Sequence, residues 1–240
     1  MTGKKKAIIA GAVLLLLGGS LAIYWFYFSE PNALPGQDQM ITEINGLLPE
    51  ADAWEIQETI MVDNEHAVAP FTSKDGIYGV SSWVWKHHEW KLGSVRTNGE
   101  PKIWKVDPDD PATYRIVWNI DPAEESLDTL NFFFVRERYW SVSGDRHQYD
   151  PSIQLKKEVS FREHPYGVMK LPDDWTAVVE SGAEGNPREV VHRSYPGFQW
   201  IPLDENGEET FLDSAVNGSS YHTGLVEEEH MMIVNLEEVE

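Results

Sequence analysis

The chain has no cysteine in 240 residues. That absence excludes thiol nucleophiles, disulfide exchange and acylation of a lipoprotein-type cysteine, and it leaves the fold to be held by its apolar core alone. Several chemical signatures are missing too. There is no P-loop, no G-x-G-x-x-G, no nucleophile elbow (Gly79-Val80-Ser81-Ser82-Trp83 does not fit one), no S-x-x-K and no H-E-x-x-H. No fixed-period repeat or low-complexity tract occurs. Strand and helix patterns do not alternate as a parallel βαβ sheet requires. Acidic residues are absent before Glu30, although the chain has 40 of them.

The acid-free N-terminus contains the longest apolar run. Lys4, Lys5 and Lys6 precede the 22 uncharged residues Ala7–Phe28. As a helix they measure ~33 Å, against a hydrocarbon core of ~30 Å. A cleaved signal peptide would use Ser20-Leu21-Ala22, but its apolar stretch is usually only ~7–15 residues. Here the run continues into Tyr24, Trp25 and Tyr27, placed as an interfacial aromatic belt. The expectation is an uncleaved signal-anchor with its lysines in the cytoplasm, a single-pass protein of the cell membrane whose C-terminal part is extracellular. Within the run, Ala7, Gly11, Gly18 and Ala22 fall on one stripe of about 60°, where a second membrane helix could approach closely. A helix-mediated homodimer is compatible with that stripe. Small residues are also common in membrane helices without such a role.

Sixteen basic residues stand against 40 acidic ones after the run, a net charge of −24. Such a surface is repelled by nucleic acid, which is excluded as a partner. It suits a basic or cationic partner, or simply solubility. Export without disulfides points to a bacterial envelope, most readily that of a Gram-positive cell.

The boundaries read as a basic tail (1–6), a span (7–28), a juxtamembrane linker (29–37) and one acidic β-rich domain (38–240). Asp38–Leu48 predicts one short amphipathic helix, with Met40, Ile41, Ile44, Leu47 and Leu48 at helical spacing, Asp38 as N-cap and Pro49 beyond its end. From Trp54 onward the pattern is that of short strands with turn signals every ~8–14 residues, as in an antiparallel β-sandwich. "WEIQETIMV" reads as one strand with Trp54, Ile56, Glu58, Ile60 and Val62 on a face, and Asp63–Glu65 as the turn before "HAVAPF". Asn98-Gly99 between two extended runs predicts a type I′ hairpin. "TYRIVWNI", "LNFFFVRERYWSV", "IQLKKEVSF", "WTAVVE", "REVVHRSY", "FQWIPL" and "HMMIVNL" read as strands, with a further turn at Asn206-Gly207.

The acidic loops Asp107–Tyr114 and Asp204–Asp213 lack EF-hand spacing and read equally well as solvated turns. His87 and His88 are adjacent, so on a strand they face opposite ways and cannot share an ion. No metal or cofactor is assigned. With 40 acids no carboxylate pair is informative, so an envelope hydrolase is the weakest of three readings. The leading one is a non-catalytic binding or assembly module whose partner is another envelope or membrane protein. The second is a cell-wall glycan or ligand-binding domain using exposed tryptophans, with Trp83, Trp85, Trp90 and Trp140 as candidates. Each of these also fits an ordinary core position.

Three of those tryptophans share the stretch "WVWKHHEW". In a regular strand Trp83 and Trp85 face one side, while Trp90 and Leu92 have the opposite parity. Something must reset the register at His87-His88-Glu89. A bulge or tight turn is expected there, between strands whose tryptophans face one core.

Overall fold

The computed structural model describes residues 3–28, 30–121, 123, 127–144, 146–183 and 197–239. The first element, α1 (Gly3–Phe28), is long and apolar enough to cross a membrane, and its apolar stretch is exposed. After α2 (Gln37–Leu47) come β1 (Ala53–Ile56), β2 (Ile60–Met61), β3 (His66–Ser73), β4 (Tyr78–Lys86) and β5 (Glu89–Arg96). Next are β6 (Lys102–Lys105), β7 (Arg115–Asn119), β8 (Thr129–Arg136), β9 (Tyr139–Ser143), β10 (Arg146–Asp150), β11 (Ile153–Ser160) and β12 (Tyr166–Lys170). The chain continues with α3 (Asp173–Ala183), β13 (Gly197–Leu203), α4 (Asp213–Val216), β14 (Ser220–His222), β15 (Glu227–His230), β16 (Met232–Ile233) and α5 (Leu236–Val239).

The protein is mainly β, with antiparallel sheets. One sheet runs β1-β3-β4-β5-β14, with β2 also on β3; a second runs β12-β7-β6-β15; a third runs β11-β8-β13-β16. Among the described residues β9 and β10 pair only with each other, and β13–β16 is a parallel contact. Strand parity sorts the apolar residues into separate cores. On β7, Ile116 and Trp118 join Phe132, Phe134 and Trp200 of the third sheet, while Val117 turns to Val68, Val80 and Val84 of the first. The middle strands of the second sheet, β6 and β7, are therefore buried on both faces. The outer face of the first sheet packs on Met40 and Ile44 of α2, with Trp83, Trp85 and Trp90. Each buried large side chain contributes roughly 1.5–3 kcal/mol.

α2 forms as the periodicity predicts, but its N-cap is Gly36 with no side-chain bond, and Asp38 lies in the first turn. "WEIQETIMV" is not one strand. A bulge between Ala53 and Glu55 turns Trp54 outward, where Lys74 sits over its ring, and the chain leaves the sheet before β2. "WTAVVE" is helical: Pro172 and two first-turn aspartates start α3, and Trp175, Val178 and Val179 recur at helical spacing onto the core. "REVVHRSY" falls at 188–195, outside the described residues.

Asn98-Gly99 is not a hairpin turn. The strands on either side of it, β5 and β6, belong to different sheets, and neither residue has positive φ. The glycine is required for a close approach instead. A Cβ on Gly99 would lie 1.5 Å from the Asn119 carbonyl oxygen, and Asn119 N–H donates to Gly99 O at 2.9 Å. Gly207 does have φ +79 and closes the turn expected there.

Candidate binding surfaces

The stretch "WVWKHHEW" is a two-strand hairpin. Lys86 pairs with Glu89 across a two-residue turn in which His87 and His88 have φ 57 and 67. Both central residues at positive φ make this the primed turn that matches strand twist. The turn resets parity, so Trp85 faces Trp90 directly, ring centroids 5.8 Å apart at 61°. Trp83 pairs with Leu92, and its Nε1–H donates to Ser81 Oγ at 3.0 Å. Trp83 is 0% exposed and Trp85 and Trp90 are 8% each, so none offers a ring face to a ligand. The expected reset and shared core are both present.

Trp140 differs: it is 67% exposed. It belongs to an arm formed by the long β8–β11 hairpin. Arg136 pairs with Ile153, and beyond a gap at Glu137-Arg138 and Pro151-Ser152 the same register resumes with Tyr139 opposite Asp150. Among the described residues β13 flanks β8 as far as Val135, and the β9–β10 ribbon pairs with no other described strand. On this ribbon Trp140 lies opposite Tyr149, and Val142 opposite His147. Directly opposed residues share a face. Tyr149 is 61% exposed and Val142 46%, giving one exposed apolar face. Sequence reading missed this partnership, although Gly144-Asp145 between "YWSVS" and "RHQYD" is a hairpin signal.

Several other charged groups are committed to structure. Asp107 Oδ1 accepts from Asp109 N–H, Asp110 Oδ1 caps the turn at Ala112 N–H, and Asp204 Oδ1 accepts from Asn206 and Glu208 N–H. Bonding first to the Glu208 amide holds the Asp204 carboxyl below the usual range. Among the described residues no three His, Asp or Glu side chains are placed to hold a metal ion. Arg96 is fully buried; Nη1 donates to Asn98 O and Glu100 O, at 2.7 and 2.6 Å, and Nη2 to Val117 O at 2.9 Å. Burial presses its pKa down, opposed by the carboxylates of Glu228 and Glu100. Glu228 comes from the second sheet and accepts from Ser94 Oγ of the first at 2.7 Å. β15 itself, "EEEH", went unread as a strand because its outward Glu227 and Glu229 answer Lys105 rather than an apolar face.

A cleft of 690 Å³ lies between the edge strands β11 and β12, lined by Trp118, Val159, Val168, Lys157, Glu163 and His164 among others. Along α1, a Cβ at Gly11 or Gly18 would meet nothing within 4 Å, and Ala22 is exposed. Ala7 lies in the same helix. The chain matches no known protein family, no curated protein and no solved structure.

Proposed function

We propose that the chain is a single-pass, membrane-anchored extracytoplasmic module of a bacterial envelope that binds a protein partner and catalyses nothing. In this reading α1 is an uncleaved signal-anchor with Lys4–Lys6 in the cytoplasm, and the stacked sheets form a sandwich-like scaffold outside. The observation that carries it is the β9–β10 arm. A two-stranded ribbon by itself is marginally stable in water, and this one, which pairs with no other described strand, exposes Trp140, Tyr149 and Val142 together. An exposed aromatic pair on one face of a hairpin is the composition of an interface anchor. Residues 129–160 carry a net charge of +1, so the rest of the −24 exported part contributes −25. That hairpin thus repels an acidic partner less than the exported surface as a whole does. The test compares solubilised wild-type protein with a Trp140→Ser, Tyr149→Ser double variant. Loss of one stoichiometric membrane-protein partner in the variant, at unchanged folding, supports the reading; identical partner profiles end it.

The exposed Trp140 and Tyr149 also favour a second reading, stacking on a cell-wall glycan. Purified glycan would then change tryptophan emission in the wild type and leave the double variant unaffected.

A further inference from the structure

We infer that the β4–β5 turn is a membrane-interface element that seats the domain on a zwitterionic lipid headgroup layer beside its own anchor. This rests on the reading of α1 as a membrane span. Trp25 lies in the last turns of that helix, next to Tyr24, where interfacial aromatic side chains sit at headgroup depth. The ring of His88 stacks on Trp25, centroids 3.9 Å apart and 21° between planes. A side chain of the turn is therefore held at the depth of the belt.

The linker leads to the same place. A free chain of the eight residues from Ser29 to Gly36 would let the domain wander by about 16 Å. Here Trp90 Nε1–H, two residues past the turn, donates to Asn32 O at 2.8 Å. Leu34 packs against the core that holds Trp85 and Trp90. Exposed apolar side chains continue the surface: Met61 lines one hollow against Trp90, and Leu47 lines another.

Charge decides which lipid surface fits. Lys86 and Lys91 stand against Glu30, Glu43, Asp63, Glu65 and Glu89 at this end, a net −3 with His66, His87 and His88 neutral. Lys91 is tied to Glu89 at 2.7 Å, and His66 to Asp63 at 2.9 Å. An anionic layer repels such a surface, so the seat depends on aromatic and apolar contact.

The cysteine-free chain permits a single label. Full-length protein carrying Lys86→Cys with a bimane fluorophore is reconstituted in phosphatidylcholine vesicles containing headgroup-spin-labelled lipid. Quenching at position 86 should exceed that of an Asn206→Cys control several-fold. It should fall toward that control when Trp25→Ala is added, and weaken when phosphatidylglycerol is included. Protein that floats with the vesicles but shows equal quenching at 86 and 206 overturns the seat and leaves the span standing. Failure to float overturns both. Stronger quenching with phosphatidylglycerol overturns the zwitterionic assignment.

Discussion

Replacing Gly99 with alanine separates two explanations of the same dipeptide. In a type I′ turn, alanine at the glycine position costs roughly 1–2 kcal/mol, the strain of a left-handed residue. The structure demands more. The new methyl would start 1.5 Å from Asn119 O and must withdraw about 2 Å to reach ordinary contact. That movement breaks the 2.9 Å bond from Asn119 N–H to Gly99 O. It also disturbs Asn119 Nδ2, which donates to Gly79 O at 2.7 Å and Gln57 Oε1 at 2.8 Å, so that β7 loses one of its ties to the first sheet. Two or three buried hydrogen bonds, each leaving an unsatisfied group at ~1–3 kcal/mol, sum to about 4 kcal/mol or more. Gly207→Ala is the control: φ is +79, but nothing lies within 4 Å of its Cβ, so only the turn strain of ~1–2 kcal/mol applies. Urea unfolding of the detergent-solubilised chain, followed by tryptophan emission, measures both. Costs within ~1 kcal/mol of each other would refute the close-approach argument.

Placing asparagine at the first turn position, with His87→Asn, which leaves the stack of His88 on Trp25 in place, should stabilise the protein by up to about 1 kcal/mol in the same assay. Arg96→Met should destabilise it by ~3–5 kcal/mol, because three carbonyls lose their donor and two carboxylates lose their cation. Arg96→Lys should not restore it, since an ammonium cannot span the fork. Hydrogen bonds from Arg162 and the Glu208 amide hold the Asp128 and Asp204 carboxyls below their ordinary values. Their stabilisation is complete above about pH 4 and is lost as pH falls through the lowered values. An acid titration of stability should therefore flatten below pH 4 in the double variant Asp128→Asn, Asp204→Asn; an unchanged profile would contradict this.

Local periodicity made α2 and most strands legible, because one buried face imposes its spacing on the sequence. Parity alone located the His87-His88 turn, since Trp83 and Trp85 could not otherwise share a core with Trp90. Asn98-Gly99 misled because glycine answers two different demands, positive φ and close approach, that only the neighbouring chain distinguishes. α3 misled because Val178 and Val179 favour strands in isolation, and burial of Trp175 against the third sheet overrides that preference. The aromatic face of the arm was half visible: Trp140 was a candidate, but its pairing with Tyr149 needs the register of the whole β8–β11 hairpin. Trp83, Trp85 and Trp90 could not be told from it by composition.

The central claim is that the β9–β10 arm is the contact surface. The most direct measurement places a photo-crosslinking residue at position 140 of the full chain in its native membrane, and at Trp54, which is also exposed but lies on the first sheet, as the comparison. The account predicts a protein adduct of discrete mass from position 140, absent from position 54 and lost when Val142→Asp is added on the same face. No adduct at 140, or the same adduct from both positions, would contradict it.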